Sequence, residues 1–159
     1  PVLRAQQCRA IQFLVAGRLG KTNDWDTAVG EVPEPLMDRS QVRDWLAAGN
    51  WIGSHTLSHP YLTRLAPAAA REEITASKRR LEDEFGVAVE HFCYPYGDSN
   101  QRVATEARAA GYTTACTVRR GYVKPGDDAM ALARVKIAWN TYWPAFVWRL
   151  TTDYETGRE

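Results

Sequence analysis

The sequence predicts an α/β protein built on a mostly parallel sheet. Three observations favour this class: short apolar runs alternate with amphipathic helical segments, the runs end in glycine or in polar loops, and no internal repeat or linker interrupts them. With 159 residues, of which 45% are hydrophobic, the chain fits one compact unit, and we expect a single domain over 1–159. The alternation alone leaves open whether the sheet is open or closed into a barrel.

The first half of the chain predicts two strands separated by a loop and a helix. The run AIQFLVAG (10–17) predicts a strand buried on both faces, and the Gly- and Pro-punctuated segment 18–37 predicts a functional loop. Ser40 is the predicted N-cap of the helix that follows. The run WIGS (51–54) predicts the second strand, which leads directly into His55.

The second half predicts two helices, three further strands and a helical tail. Pro67 predicts the start of a long amphipathic helix that Gly86 ends, and Asn100 is the predicted N-cap of a helix that stops at Gly111. The strands are predicted over 91–95, 112–118 and 132–137. An aromatic tail predicts a short helix broken at its start by Pro144. Because the carboxyl ends of parallel strands share one edge, we expect the active site there.

Charge and composition exclude several classes of partner. Acids and bases are interleaved and the formal net charge is +1, so no electrostatic footprint for nucleic acid or an anionic membrane is visible. No apolar run approaches the ~20 residues of a membrane span, and the first residues lack the layout of a signal peptide. The three cysteines form no Cys-x-x-Cys pattern and are expected to be buried apolar residues: Cys8, Cys93 and Cys116.

The segment SHTLSHP places two of the three histidines four residues apart at the end of a predicted strand. Side chains at this spacing share one face of a helical turn, so His55 and His59 can converge on one metal ion. The alternative is a pair of loop histidines bonded to neighbouring hydroxyl groups, although the rigid Pro60 favours fixed ligands. A catalytic zinc site needs a third ligand, and the candidate carboxylates, each also suited to a turn, are Asp24, Asp26 and Asp98.

A second unusual segment, YPYG, follows the third predicted strand. Pro95 fixes the backbone and Gly97 permits a tight turn, which can aim a backbone N–H at a developing oxyanion. The alternative is an ordinary β-turn with aromatic packing.

Together these segments resemble the polysaccharide deacetylase family, also called the NodB-homology carbohydrate esterases. SHTLSHP resembles its metal-binding motif His-Ser/Thr-x-x-His, YPYG resembles the core of its Arg-x-Pro-Tyr motif, and the flanking segments agree in order over most of the chain. The resemblance implies a distorted (β/α) barrel of parallel strands. It also implies a metal-dependent hydrolase that removes N-acetyl groups from a polysaccharide or amino-sugar oligomer, located in the bacterial periplasm, at the cell surface or secreted.

Roles for individual residues follow from the same resemblance. It implies His55 and His59 as ligands of a divalent metal, zinc first, with cobalt, nickel or iron also compatible. It implies Tyr96 as the backbone oxyanion donor and Pro95 with Tyr94 as substrate-binding residues. Aromatic residues that could stack on sugar rings, and that equally suit packing roles, are Trp25, Tyr61 and Trp139.

Three parts of the family pattern are missing. The Thr-Phe-Asp-Asp motif, source of the catalytic base and third ligand, is absent, and the start of the chain resembles the segment that follows it in relatives. We therefore expect the domain to be partial at its N-terminus and the barrel to lack its first strand. Phe92-Cys93 replaces the arginine of the tyrosine motif, and Arg134 stands where a Leu-x-His motif would carry the general acid, a place that His91 does not fill.

These gaps predict that the chain alone is a poor deacetylase, since general acid–base catalysis typically contributes ~10²–10⁴-fold. Zinc-dependent acetate release from N-acetylglucosamine oligomers, abolished by His55→Ala, would contradict this. Two other hypotheses remain: a carbohydrate-binding relative that lost catalysis, and a metal-independent structural domain.

Overall fold

The computed structural model describes residues 2–30, 32–138 and 140–152. They form a five-stranded parallel sheet in the order β1-β2-β3-β4-β5. The strands are Ile11–Leu14 (β1), Trp51–Ser54 (β2), His91–Cys93 (β3), Thr114–Arg120 (β4) and Leu132–Arg134 (β5). The helices are Val2–Ala5 (α1), Arg39–Ala47 (α2), Pro67–Phe85 (α3), Gln101–Ala109 (α4) and Trp143–Thr151 (α5). Short 3₁₀ turns follow the first three strands at Asp24–Val29, Leu62–Arg64 and Pro95–Gly97.

The strand order distinguishes this fold from a doubly wound sheet. Each strand pairs with the next one in the chain, and α2, α3 and α4 provide the first three crossovers, as in a (β/α) barrel. Within the described residues β1 and β5 each pair on one side only, so the sheet does not close. The predicted α/β class with parallel strands is confirmed, and the sheet is an open arc of barrel-like order.

The core lies between the sheet and the helices that cross it. Fully buried Phe92 of β3 contacts the rings of Tyr94 and Tyr112, with ring centres 5.2 and 4.9 Å away. Helix α3 turns one face to the core, as its sequence pattern predicts, with Ala70, Ile74, Ser77 and Leu81 buried. Burying a large apolar side chain contributes about 1.5–3 kcal/mol, so this layer accounts for much of the stability that holds the sheet edge in place.

Close packing next to the site depends on a glycine in β2. A Cβ on Gly53 would lie 2.6 Å from the Phe13 ring and 2.8 Å from the His91 carbonyl oxygen. No other residue fits between these neighbours without moving backbone. Since β2 leads into His55, this contact fixes where the first histidine leaves the sheet.

The ends of α3 and the start of α4 agree with the sequence, whereas the start of α2 does not, and α1 was not predicted. Pro67 begins α3, Gly86 caps it in the left-handed conformation with φ 67°, and Asn100 accepts the Val103 N–H at 3.0 Å. At α2 the cap is Asp38, not Ser40 as predicted: Asp38 Oδ1 accepts the Gln41 N–H at 2.9 Å. The Asp38 N–H in turn donates to Gln41 Oε1 at 2.9 Å, a reciprocal capping box whose D-x-x-Q spacing was the overlooked signal.

The cysteines are only partly as predicted. Cys93 is buried and Cys116, its register partner on β4, is half-buried, but Cys8 is exposed. Cys8 lies between α1 and β1, and α1 itself buries none of its residues, so nothing covers this part of the described chain. None of the helices in the described ranges has the length and apolar character needed to cross a bilayer.

Candidate metal centre

The two motifs singled out in the sequence meet at the carboxyl edge of the sheet. The histidine loop (residues 55–65) follows β2, and the YPYG turn (residues 94–97) follows β3. The ring centres of His55 and His59 are 4.8 Å apart, and those of His59 and Tyr96 are 4.6 Å apart. The fold therefore brings both histidines and the turn into one cluster.

His55 is held in the orientation of a metal ligand. Its main-chain N–H donates to the Leu14 carbonyl at 2.8 Å, and its ring Nδ1 lies 2.6 Å from the Cys93 carbonyl oxygen. Because a carbonyl oxygen only accepts, Nδ1 carries the proton and Nε2 keeps its lone pair. Metal-bound histidines usually donate their other ring N–H in this way. Burial lowers the pKa of His55, opposed by the bond to Cys93 and aided by the charge of Arg134, which favours the neutral ring that binds metals.

His59 carries a buried ring nitrogen without a partner. The residue is 8% exposed, and within the described part of the chain its Nδ1 makes no hydrogen bond. Burial lowers the pKa of His59 to about 4, with the nearby His55 adding to the effect and Asp26 opposing it. An unpartnered buried polar atom costs about 1–3 kcal/mol, and a bound cation would remove that cost. The ring is therefore neutral and available at neutral pH.

The backbone of the histidine loop is strained. Thr56 and His59 both have positive φ, 69° and 68°, although neither is glycine. The His59 N–H donates to the Thr56 hydroxyl at 2.9 Å, which stabilises the tight turn between them. Such conformations cost about 1–3 kcal/mol each and persist where neighbours enforce them, often at functional sites.

Glu73 of α3 anchors the middle of the histidine loop. Its Oε2 accepts the N–H groups of Leu57 and Ser58 at 2.9 and 3.0 Å, and its Oε1 accepts the Ser58 hydroxyl at 2.6 Å. Charge-assisted bonds of this kind are roughly twice as strong as neutral ones. The sequence analysis missed Glu73, since only its place beside the buried Ile74 on α3 signalled an inward-facing carboxylate.

Two further charged residues hold the end of the histidine loop. Asp98 accepts the Thr63 N–H at 2.8 Å and the Thr63 hydroxyl at 2.7 Å. Arg102 Nη2 donates to the carbonyl groups of Leu62, Thr63 and Leu65 at 3.3–3.4 Å. Asp98, one of the candidate third ligands, thus uses both carboxylate oxygens to join the segment after the YPYG turn to the histidine loop. These contacts favour the structural role that the sequence also allowed for this residue.

The other two candidate carboxylates differ in position. Asp24 pairs with Arg18 at 3.1 Å on the surface. Asp26 lies beside the cluster, where its Oδ1 accepts the Tyr96 hydroxyl at 3.1 Å. Among the described residues, however, no group of three His, Cys, Asp or Glu side chains has the geometry to hold a metal ion. The described ranges therefore supply two imidazoles and no third ligand.

Tyr96 lies at the sharpest point of the YPYG turn. It has φ 58° and ψ 4°, and Gly97 follows with φ 72°, packed so closely that a Cβ would lie 2.4 Å from Val118 Cγ2. Within the described ranges the Tyr96 N–H donates to no other main-chain or side-chain group, which leaves it available to an incoming oxygen. Burial, together with the bond to Asp26, raises the pKa of Tyr96 to about 12, so the phenol stays protonated.

The side chains of Tyr94 and Pro95 are covered by protein. Tyr94 is 1% exposed and its hydroxyl donates to the Met130 carbonyl at 2.9 Å. Pro95 is also buried, at the start of the 3₁₀ turn. The sequence predicted both as substrate-binding residues. In this structure they can act on a substrate only by shaping the backbone around Tyr96.

Two of the predicted sugar-stacking residues, Trp25 and Tyr61, contact the cluster. The Trp25 ring stacks on His59 with centres 4.3 Å apart. The Tyr61 ring stacks on Tyr96 at 4.0 Å, and the Arg64 guanidinium lies 4.1 Å from its centre. Two groups this close would overlap on one face of the ring, so they lie on opposite faces of Tyr61, which is still 38% exposed. Trp139 lies outside the described residues.

A family model named polysaccharide deacetylase matches residues 1–115 of the chain. The chain belongs to the polysaccharide deacetylase family. This family consists of hydrolases that act on amide bonds, and its substrates are N-acetylated glycans.

Relatives and solved structures agree with membership in the deacetylase family. The chain is 32% identical over 90 residues to the chitooligosaccharide deacetylase of Bradyrhizobium sp. (strain ANU 289), covering 55% of this chain and 41% of that protein. It is 24% identical over 138 residues to YxkH of Bacillus subtilis (strain 168), covering 87% of this chain and 45% of that protein. The chain thus spans less than half the length of both curated relatives. Its fold is similar to that of the Streptococcus pyogenes deacetylase PplD, with a TM-score of 0.80 at 20% identity, covering 96% of this chain and 63% of PplD.

Proposed function

We propose that the chain carries the two-histidine part of the active site of a metal-dependent hydrolase that removes N-acetyl groups from a glycan. The observation that supports this proposal is the hydrogen bonding of the two imidazole rings. His55 donates Nδ1–H to the Cys93 carbonyl, so its other nitrogen faces away with its lone pair, while the buried His59 Nδ1 has no partner in the described chain. The name of the Bradyrhizobium relative supports a chitooligosaccharide as the kind of substrate.

The residues present fit part of a metal site. His55 and His59 would hold the ion, which suits zinc first and also cobalt, nickel or iron, because neutral imidazole binds all of these. The bound metal would acidify a water molecule and polarise the acetamide carbonyl. A cavity of about 110 Å³, lined by His55 and Trp25 together with mostly apolar side chains, lies beside His55.

The YPYG turn would stabilise the charge that develops on the acetamide oxygen. The Tyr96 N–H is the donor proposed for this oxyanion. Its position is fixed by the bond from the Tyr96 hydroxyl to Asp26 and by the stack on Tyr61. Tyr94 and Pro95 are buried and hold the turn in place, so a preorganised donor, rather than a flexible side chain, would meet the substrate.

A second function is favoured by a specific observation. The described residues contain no group of three side chains able to hold a metal, and Arg134 ends β5 in the place where the family pattern has histidine. A relative that binds N-acetylated glycans without hydrolysing them fits this incomplete set. The two functions differ in whether glycan binding depends on the metal.

The test measures binding of an N-acetylglucosamine oligomer and release of acetate in the same samples, with zinc and with chelator. If the site is that of a deacetylase, we expect binding at least about fivefold tighter with zinc, because the acetamide oxygen gains a charged partner. Acetate release should be slow, since no base accompanies the pair among the described residues.

Two variants serve as the control pair for this test. His59→Ala should remove the effect of zinc, and His91→Gln, on β3 and bonded to Thr114, should keep it. Equal binding in zinc and chelator without acetate release would instead favour the carbohydrate-binding relative. No binding of the oligomer under either condition would contradict both functions.

A further inference from the structure

A groove lined by basic residues, which we call the basic groove, lies beside the YPYG turn at the edge of the sheet. It consists of two adjoining cavities of about 490 and 410 Å³ that share Val118 and Arg120. Gly97 and Ser99 line it on the side of the turn, and Arg119, Arg134 and Lys136 line it further along. The groove therefore begins at the turn that carries Tyr96 and continues along the ends of β4 and β5.

The topology places the basic groove on the same edge as the candidate metal centre. β4 ends at Arg120 and β5 at Arg134, and these two residues are register partners. In a parallel sheet both ends lie on the carboxyl edge, where β2 delivers His55 and β3 delivers the turn.

The groove is lined by charges of one sign. Four basic residues, Arg119, Arg120, Arg134 and Lys136, and no described Asp or Glu, line the two cavities. The whole chain is balanced, with 20 Lys and Arg against 19 Asp and Glu, so this concentration is local. By contrast, the surface cavity on α3 that contains Arg79 and Arg80 also contains Asp83 and Glu84. Like charges in a cluster repel each other, and an anionic ligand bound to Arg119, Arg134 and Lys136 would reduce that repulsion.

Two of the arginines are held in place by main-chain groups. Arg119 Nη2 donates to the Ala131 carbonyl at 2.8 Å, and Arg134 Nε donates to the Thr117 carbonyl at 2.7 Å. A guanidinium has five N–H donors in a planar fork, so each retains donors for a ligand. In the described part of the chain neither residue, nor Lys136, forms a salt bridge. Such anchored forks match the two oxygens of a carboxylate or a phosphate.

We propose that the basic groove binds an anionic substituent of the glycan, so that the substrate is an acidic N-acetylated glycan rather than a neutral one. The proposal rests on the function proposed above and extends it to the substrate class. A sugar whose acetamide lies at Tyr96 would place its neighbour along Gly97 and Ser99. An acidic group on that neighbour would then meet Arg119, Arg134 and Lys136.

The experiment compares ligands that differ in charge and share the N-acetylglucosamine unit. The first arm titrates a hyaluronan tetrasaccharide, which carries carboxylates, against the neutral N-acetylglucosamine tetramer. The second titrates N-acetylglucosamine 6-phosphate against N-acetylglucosamine. We expect the anionic ligand of at least one arm to bind about tenfold more tightly at low ionic strength. The preference should shrink near 1 M salt, where the Debye length is only ~3 Å.

A pair of double variants locates the effect. Arg119→Gln with Lys136→Gln should reduce the preference to about twofold or less, since two of the cations are gone. Arg79→Gln with Arg80→Gln removes the same charge from the cavity on α3 and should leave the preference unchanged. Thermal unfolding of both variants checks that each remains folded.

Three outcomes would overturn the proposal: no preference in either arm, a preference that salt leaves unchanged, or an equal loss in both double variants. The arm that shows the preference distinguishes carboxylate from phosphate. The zinc dependence of ligand binding, measured on the same samples, tests the proposed metal site separately from the proposed preference for anionic glycans. Zinc-dependent binding without charge preference contradicts only the inference, whereas charge preference without any zinc effect contradicts only the deacetylase site.

Discussion

Replacing His59 with alanine is expected to weaken zinc binding by more than about 100-fold. Changes to groups that only support a metal ligand typically cost 10–100-fold in affinity, and removing a ligand itself costs more. His55→Ala should have a similar effect, since each histidine is half of the ligand set that the described residues offer. Competition with a chromophoric chelator at neutral pH measures both affinities, and pKa values lowered by burial keep the two rings neutral there.

The third histidine provides the control for the zinc measurement. His91 lies on β3, where its Nδ1 is 2.8 Å from the Thr114 hydroxyl, and among the described residues no hydrogen bond or ring contact links its side chain to His55 or His59. His91→Gln keeps a polar side chain at that position and should bind zinc as the unaltered protein does. If His59→Ala and the unaltered protein had equal affinity, the histidine loop would not be a metal site.

Replacing Glu73 with alanine should both destabilise the protein and weaken zinc binding. Three donors lose their shared acceptor: the N–H groups of Leu57 and Ser58 and the Ser58 hydroxyl. Bonds to a charged group contribute about 1.5–3 kcal/mol each, and partial exposure reduces this, so we expect a loss of about 2–4 kcal/mol in the free energy of unfolding. Because the loop joins the two histidines, zinc affinity should fall about 10–100-fold.

The neighbouring Glu72 offers a matched control for Glu73. Glu72 is an exposed residue of the same helix, so Glu72→Ala removes the same charge and leaves the loop untouched. Denaturant unfolding and the zinc competition assay are run on both variants. If Glu73→Ala lowered stability but left zinc affinity equal to that of Glu72→Ala, Glu73 would support the fold without positioning the histidines.

Those parts of the fold that depend on local sequence were predictable. The run WIGS, the proline that begins α3 and the glycine that ends it act within a few residues, and each appears where expected. The cap of α2 was mispredicted locally, because Asp38 and Ser40 are both capping residues and only the spacing to Gln41 favours Asp38. Strand order follows from the crossover helices, whereas closure of the sheet does not, since it depends on which strand edges meet.

The clustering of the two motifs at the candidate site was predictable from the sequence, and the residues that support them were not. The histidine pair and the YPYG turn are contiguous motifs, and the structure places them together. Glu73, by contrast, reaches the loop from a helix, and the bond between Asp98 and Thr63 joins segments that only the folded chain brings together. Burial of Tyr94 and the stack of Tyr61 on Tyr96 are likewise tertiary effects. The basic groove was hidden by a net charge of +1, because composition averages over the surface.

The central claim is that His55 and His59 bind one metal ion, and X-ray absorption at the zinc edge of the zinc-loaded protein tests it most directly. Imidazole groups produce characteristic multiple scattering, so the number of histidine ligands can be counted. We predict two imidazole nitrogens at about 2.0–2.1 Å in the unaltered protein and one in His59→Ala. A zinc shell of cysteine sulfur, or the same imidazole count in both proteins, would contradict the account.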